Sequence, residues 1–208
     1  MTSVRLLLVR HGQTPFNRDL KLQGKSNEGL TSLGIRQATA LAQALRSESP
    51  AAVYSSPLKR SLETAGLIAS AHNITAKINS GLAEMDIGLL DGLTYKEISE
   101  KFPEFVRLWE SDPTKAVPPS GETISRLQTR CWAAINGIVK VHPEGTVIIV
   151  SHSFSIASIV CKAIKMPLSS FKSLRIDLGS ISELSIYDDA AILSRLNDTS
   201  HLNGLKAK

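Results

Sequence analysis

The chain has 208 residues, a formal net charge of +5 and a sequence pI of about 9.3. It is 42% apolar, 21% charged and 5% aromatic, which indicates a globular protein with an aliphatic core. Its basic residues are spread along the chain rather than grouped, so we expect no nucleic-acid partner. No apolar segment approaches the roughly 20 residues that a membrane-spanning helix needs, so we expect no membrane partner.

The cysteines and the N-terminal segment bear on where the protein works. Cys131 and Cys161 stand in apolar helical surroundings and form no CxxC pair, which favours reduced core residues. Residues 1–9 lack a long apolar stretch followed by a small-residue cleavage site, so a secretory signal is not expected. These features are typical of a cytoplasmic protein.

The first half of the chain alternates short apolar runs with helical periodicity. In chain order, the pattern predicts a strand over 4–9, a helix over 33–45, a strand over 51–55, a helix over 58–72 and a strand over 74–78. An acidic stretch follows over 84–91.

The second half continues this alternation after a proline-rich region. It predicts a helix over 95–109 interrupted by Pro103, a loop over 112–121, a helix over 121–142, a strand over 146–150, a helix over 153–165 and closing strands over 176–187 and 192–197. The last ten residues are polar and are expected to fray.

Strands that alternate with helices predict an α/β protein. We expect a three-layer α/β/α sandwich with a mostly parallel central sheet. The chain, residues 1–208, is predicted to form a single domain, and residues 85–119 are predicted to form a small helical cap over the site.

Two predicted strands end in the same way. The strand over 4–9 is followed by Arg10 and His11, and the strand over 146–150 is followed by Ser151 and His152. Ligands of open parallel sheets bind where the strands end, so neighbouring strands would bring the two imidazoles together. A single histidine in such a position is more often structural, but two in equivalent positions favour a functional site.

Arg60 falls in the first turn of the helix over 58–72. The helix dipole disfavours a cation there, and a bound phosphate would compensate for it. Arg10 and Arg60 are therefore predicted to clamp one phosphoryl group.

Several short motifs occur in one order along nearly the whole chain. They are the RHG segment at 10–12 with Asn17, the LQG segment at 22–24, YSSPLKRSLETA at 54–65, EMDIG at 84–88, SGE at 120–122 and VSH at 150–152. In this order they resemble the histidine phosphatase superfamily, the phosphoglycerate-mutase-like proteins.

The resemblance implies a role for each chemistry-bearing residue. His11 would be the nucleophile that becomes a phosphohistidine, and Glu84 would protonate the leaving group and then activate water. The phosphoryl oxygens would be bound by Arg10, Arg60 and His152. Further substrate contacts are expected from Asn17, Gln23, Gly24 and Ser153.

The sequence points to neither a metal nor a cofactor. Its five histidines include no HxH or HxxxH pair, and no P-loop is present. Two departures from the family pattern are Gln13, where relatives often have Glu, and Ser153, where many have Gly. Without the resemblance, nothing would single out Glu84 from Asp86 and Asp91 as the acid.

Three functions remain open at this point. The stretch 84–94 contains no basic residue, which favours hydrolysis of small phosphomonoesters over a phosphoglycerate mutase that must hold a second phosphate. The acid motif resembles those of broad-specificity and α-ribazole phosphatases. A non-catalytic scaffold would be expected to lack the nucleophile or the acid, and both are present.

The substrate and the oligomeric state are not fixed by the sequence. A homodimer is compatible with base rates for soluble proteins. The apolar residues of the cap region form either a leaving-group pocket or ordinary core; they are Ile87, Leu89, Leu90, Phe102, Phe105 and Trp109.

Overall fold

The computed structural model of the chain describes residues 2–205. Its strands are β1 Ser3–Arg10, β2 Pro50–Ser55, β3 Lys77–Ile78, β4 Glu144–Ser151, β5 Ile181–Tyr187 and β6 Ala191–Asp198. Its helices are α1 Pro15–Arg18, α2 Ser32–Ala44, α3 Lys59–Ala71, α4 Tyr95–Lys101, α5 Pro103–Ser111, α6 Ile124–Val141 and α7 Ser153–Ala163. Short 3₁₀ turns lie at Ser80–Leu82, Gly88–Leu90, Leu168–Ser173 and Ser200–Leu202.

The strands form one six-stranded sheet in the order β3-β2-β4-β1-β5-β6. The first four strands in this order are parallel, and β5 and β6 continue the sheet as an antiparallel edge. The two central strands, β1 and β4, pair from Ser3 with Glu144 to Arg10 with Ser151. This register places the residues that follow both strands at the same edge of the sheet.

Both faces of the sheet are covered by helices, because the side chains of β1 alternate between two buried clusters. Leu6 and Leu8 belong to a cluster that includes residues of α6 and α7. Leu7 and Val9 belong to a cluster with residues of α2 and α3. A strand buried on both faces has the continuous apolar sequence that was recognised in residues 4–9. The predicted three-layer sandwich with a mostly parallel sheet is confirmed.

Some predicted boundaries were wrong. The third strand is limited to Lys77–Ile78, because Ile74 and Ala76 pack onto the α2–α3 side of the core rather than extending the sheet. The fifth strand begins at Ile181, and the residues before it form a turn in which Ser180 N donates to Asp177 O over 3.1 Å. The interruption predicted at Pro103 is confirmed, because α4 and α5 meet at Phe102 directly before it.

The expectation that the last ten residues fray is wrong for residues 199–205. Ser200–Leu202 forms a 3₁₀ turn, and the carboxylate of Asp198 accepts from Ser200 N over 2.9 Å. His201 Nε2 donates to Gly179 O over 2.9 Å, which ties the turn to the loop before β5. These contacts come from side chains that polar composition alone does not locate. Residues 206–208 lie outside the described part of the chain.

Both cysteines lie in the core, as expected. Cys131 and Cys161 are buried and form no disulfide. Burial raises the pKa of the Cys131 thiol to about 12, so this group stays protonated at neutral pH. In residues 2–205, no helix combines the length and the apolar character needed to cross a bilayer.

Gly34 of α2 lies against the main chain of Gln13, the residue after the RHG motif, and this close contact gives a test of the fold. A Cβ on Gly34 would lie 2.1 Å from Gln13 O, whereas a Cβ on Gly66 would meet nothing within 4 Å. Gly34→Ala is therefore expected to lower the free energy of unfolding by about 1–3 kcal/mol. Gly66→Ala, also in a helix, should raise it by roughly 0.5–1 kcal/mol. Urea unfolding of both variants measures the difference, and equal stabilities would contradict the close packing.

Candidate active site

His11 lies directly after β1 and is only 3% exposed. Its Nδ1 is 2.7 Å from Gly12 O, and a carbonyl oxygen can only accept, so Nδ1 carries the ring proton. In the neutral ring Nε2 is then unprotonated and its lone pair can accept a hydrogen bond. Arg60 Nε lies 3.2 Å from this atom and donates to it. The backbone thus selects the tautomer in which Nε2 can act as a nucleophile.

Arg60 lies in the first turn of α3 and is 1% exposed. Its Nε is 3.2 Å from both His11 Nε2 and His152 Nδ1. Its two terminal nitrogens donate to Ser26 O and Gly24 O, each over 2.8 Å. The guanidinium therefore holds together the RHG segment, the loop after α1 and the second histidine. Gly24 thus contacts Arg60 through the Gly24 carbonyl oxygen.

His152 follows β4, caps α7 and is fully buried. Its Nε2 lies 2.7 Å from Ser56 Oγ and 3.3 Å from Ser61 Oγ, while its Nδ1 faces Arg60. The ring centroids of His11 and His152 are 5.1 Å apart at an interplanar angle of 60°. The two imidazoles predicted from the strand ends are therefore neighbours.

Burial and positive charge keep both imidazoles neutral. Burial lowers the pKa of His11 and of His152 well below the ordinary value, and the charge of Arg60 lowers both further. Burial also lowers the pKa of Arg60 to about 10, which leaves the guanidinium charged at neutral pH. The centre of the site thus contains cations and neutral rings, an arrangement that suits a dianionic phosphoryl group.

Two buried N–H groups near His11 have no hydrogen-bond partner in the described part of the chain. They are Arg10 Nε and Gln23 Nε2. Another nitrogen of Arg10 donates to Ile176 O over 2.7 Å, and Gln23 Oε1 accepts from Thr14 Oγ1 over 2.7 Å. An unsatisfied buried donor costs about 1–3 kcal/mol, so these groups favour an oxyanion as partner.

Glu84 is 4% exposed, and its carboxylate lies at the N-terminus of α7. It accepts from the main-chain N–H of Phe154 over 3.1 Å and of Ser155 over 3.2 Å, and from its own neighbour Met85 over 2.8 Å. Ser153 Oγ lies 3.4 Å from its Oε2. Helix N-termini stabilise carboxylates, which accounts for the burial of this acid.

The other two acids of the motif have structural contacts. Asp86 pairs with Lys25 over 2.6 Å. Asp91 accepts from Gly24 N over 3.2 Å and from Ser26 N over 2.8 Å, so it shapes the loop that binds Arg60. Of the three acids, Glu84 lines the cavity that contains His11.

We call the cavity that contains His11 and Glu84 the catalytic cavity. Its volume is about 180 Å³. Its lining comprises Arg10, His11, Asn17, Lys21, Leu22, Gln23, Glu84, Ile87, Ser153 and Phe154. The structure thus brings most of the sequence-derived site residues to one cavity. Arg60 and His152 lie beneath it, in contact with His11.

An apolar cavity of about 130 Å³ adjoins the catalytic cavity and shares Leu22, Ile87 and Phe154 with it. Four of the six apolar candidates from the sequence line it: Ile87, Leu90, Phe105 and Trp109. The other two candidates do not, because Leu89 is 59% exposed and Phe102 packs against the core.

Sequence reasoning missed three residues that shape the site. Lys21 lines the catalytic cavity, but nothing distinguishes it from other surface lysines in the sequence. Thr14 caps α1 and orients Gln23, and its Thr-Pro-x-Asn context is a capping signal that could have been recognised. Ser56 contacts His152 from the segment before α3.

The lowered pKa of His11 gives a pH-dependence that can be measured. The ring is expected to stay neutral as the pH falls through 6.5, its ordinary pKa. Since the unfolded chain takes up the proton near that pH and the folded protein does not, stability should decrease as the pH drops below it. Imidazole ¹⁵N shifts, assigned with His11→Ala, measure the protonation. A ring that protonates near its ordinary pKa would contradict the buried, cation-flanked site.

Comparisons with known proteins show the family to which the chain belongs. Residues 6–199 match the model of the histidine phosphatase superfamily (branch 1). Phosphoserine phosphatase 1 of Hydrogenobacter thermophilus is 34% identical over 199 residues, which cover 96% of this chain and 94% of that protein. The metal-independent phosphoserine phosphatase of Arabidopsis thaliana is 34% identical over 203 residues, with coverage of 96% and 84%.

A solved structure also has the same fold. Bacillus stearothermophilus YhfR aligns with a TM-score of 0.91 at 28% identity, covering 96% of this chain and 99% of that one. The family expected from the motifs is confirmed. The chain therefore belongs to branch 1 of the histidine phosphatase superfamily and is a phosphatase of that family.

Proposed function

We propose that the protein hydrolyses small phosphomonoesters through a phosphohistidine on His11, with Glu84 as the proton donor and without a metal or cofactor. The observation that carries this proposal is the catalytic cavity, where the nucleophile, the acid and two unpartnered N–H donors occur together. Residues 2–205 contain no group of three His, Cys, Asp or Glu side chains able to hold a metal ion.

In the first step, Nε2 of His11 attacks phosphorus and the bond from phosphorus to the ester oxygen breaks. Glu84, protonated for this step, transfers its proton to the departing oxygen, and an alcohol leaves. The hydrogen bond from Nδ1 to Gly12 O keeps the ring aligned and stabilises the positive charge that the ring gains. Arg10, Arg60 and His152 stabilise the charge on the phosphoryl oxygens.

In the second step, the carboxylate of Glu84 takes a proton from a water molecule, which attacks the phosphohistidine. The bond from phosphorus to Nε2 breaks, and inorganic phosphate is released. Asn17, Gln23 and Ser153 line the cavity and supply further hydrogen bonds to the substrate. Gly24 contributes by holding Arg60.

Phosphoserine is the first candidate substrate, because two relatives with that activity in their names share about a third of their sequence with this chain. The wall formed by Leu22, Ile87 and Phe154 favours a different group of esters, those whose leaving groups have apolar surface. A mutase needs cations for a second phosphate. Among the described residues that line the catalytic cavity, the cationic side chains are Arg10 and Lys21. Since Arg10 is assigned to the transferred phosphoryl group, Lys21 alone is left for a second phosphate, which supports hydrolysis.

The proposal extends to organisation and location. We propose one catalytic domain in which residues 85–119 act as the cap, since this region supplies most of the apolar cavity. The protein's free, buried cysteines, Cys131 and Cys161, favour a reducing, cytoplasmic setting. A homodimer remains a prediction that only a solution measurement of mass would test.

The reaction itself is tested with p-nitrophenyl phosphate, phosphoserine and 3-phosphoglycerate in the presence of a chelator. Phosphate release is expected from the native protein and should vanish in His11→Ala. Glu84→Gln should lower kcat/KM for phosphoserine and 3-phosphoglycerate roughly 10²–10⁴-fold, the usual contribution of an acid–base group. The loss for p-nitrophenyl phosphate should be far smaller, because p-nitrophenolate leaves without a proton. His142→Ala is the matched control, because that histidine contacts Tyr54 outside the site. Conversion of 3- to 2-phosphoglycerate without hydrolysis would make the protein a mutase, and no reaction would favour a scaffold.

The apolar cavity predicts a substrate preference. KM should be lower for phenyl and naphthyl phosphates than for glycerol phosphate, because their leaving groups can bury apolar surface. Ile87→Asn should raise the KM of the aryl esters by about tenfold and affect glycerol phosphate little. Leu89→Asn, a similar change at a residue that is 59% exposed, serves as the control. Equal KM values across the panel would remove the apolar cavity from substrate binding.

A further inference from the structure

Glu84 belongs to the segment 81–86, in which three main-chain carbonyls accept hydrogen bonds from Arg130 of α6. We call this segment the acid loop. Arg130 of α6 donates from one terminal nitrogen to Gly81 O over 3.1 Å and to Ala83 O over 2.6 Å. Its other terminal nitrogen donates to Glu84 O over 2.7 Å. A single guanidinium thus binds three carbonyls of the acid loop, including that of the acid itself.

Glu122 holds this guanidinium and also the far end of the acid loop. Its carboxylate lies 2.6 Å from a terminal nitrogen of Arg130 and 3.2 Å from Nε, a two-point contact. The same carboxylate accepts from Asp86 N over 2.9 Å, and Glu122 N donates to Asp86 O over 2.8 Å. The pair is partly buried, with side-chain exposures of 28% and 16%. Such geometry orients a side chain more firmly than a single surface ion pair.

The carboxylate of Glu84 is fixed from the opposite side by α7. The N–H groups of Phe154 and Ser155 donate to it, and Ser155 Oγ bridges from Ala83 O to Glu84 Oε1 over 2.9 and 3.2 Å. Helices α6 and α7 pack against each other. The acid is therefore held between two helices of one layer, by its main chain through Arg130 and by its carboxylate through the start of α7.

We propose that Arg130, oriented by Glu122, is a positioning residue for proton transfer by Glu84. This inference rests on the proposed role of Glu84 as the acid. A planar guanidinium with five donors can satisfy several carbonyls at fixed angles, which an ammonium group cannot reproduce. Loss of Arg130 would remove the guanidinium that binds the carbonyls of Gly81, Ala83 and Glu84, so that the main chain of the acid can move and the carboxylate shifts relative to the leaving oxygen. A displacement of about 1 Å costs roughly 10²-fold in rate.

The test compares phenyl phosphate with p-nitrophenyl phosphate, two esters of similar shape. Phenolate is the more basic leaving group and needs the proton, whereas p-nitrophenolate leaves without it. In Arg130→Gln, kcat/KM for phenyl phosphate should fall roughly 10²-fold, and that for p-nitrophenyl phosphate should fall far less. Glu84→Gln should give the same pattern, and the double variant should be no slower than Glu84→Gln alone.

Arg126→Gln is the matched control, because it removes the same charge from an exposed position one turn earlier on α6. It should leave both esters unaffected. If Arg130→Gln does not fold, judged by circular dichroism, Arg130→Lys and Glu122→Gln take its place and should show the same selective loss at smaller size.

Two results would show that Arg130 is merely structural and would overturn the inference. One is an equal loss of kcat/KM for the two esters in Arg130→Gln. The other is a double variant that is slower than Glu84→Gln by the full effect of Arg130→Gln. A native protein that cleaves neither ester would overturn the proposed function instead, and the inference with it.

Discussion

The buried guanidinium of Arg60 is the constraint on which the site depends. A cation that is 1% exposed is stable only if its N–H groups have partners. Here Gly24 O and Ser26 O accept from its terminal nitrogens, and the two imidazoles share its Nε. None of these direct partners carries a negative charge, so the positive charge is left available for a substrate anion.

This arrangement also determines the state of the histidines. A charged guanidinium 3.2 Å from a ring nitrogen opposes protonation of that ring, and burial acts in the same direction. The same contact that secures Arg60 therefore keeps His11 neutral. The parallel register of β1 and β4 is what makes the contact geometrically feasible, because it brings both strand ends to one point of the sheet edge. The stability of the buried Arg60 guanidinium and the neutral state of His11 thus depend on one set of contacts.

Much of the fold could be predicted from the sequence because apolar periodicity reports burial directly. The continuous apolar run before His11 requires a strand covered on both faces, and the sheet meets that requirement. The turn at Ser200–Leu202 could not be predicted, since it depends on a contact from His201 to Gly179, far away in sequence. Local composition carries no information on such a partner.

Some site residues can likewise be predicted from local sequence, whereas Glu84 depends on a contact that is distant in sequence. His11 and His152 follow from strand ends, and Arg60 follows from its unfavourable place on a helix dipole. Glu84 does not follow from its neighbours, because Asp86 and Asp91 have the same charge in the same loop. What distinguishes it is the pair of N–H groups at Phe154 and Ser155, about 70 positions along the chain. Only the motif resemblance could identify it from sequence.

The proposed nucleophile and the proposed acid are therefore supported by different parts of the protein. His11 is fixed by the sheet edge and by Arg60, whereas Glu84 is fixed by α6 and α7 through an ion pair and a helix terminus. The apolar wall shared by the two cavities includes Ile87, close to Glu84 in sequence, and Phe154, whose main-chain N–H donates to Glu84. Changes in that wall can alter substrate preference while the contacts of His11 stay intact, which is a physical reason why one fold can serve several phosphomonoesters.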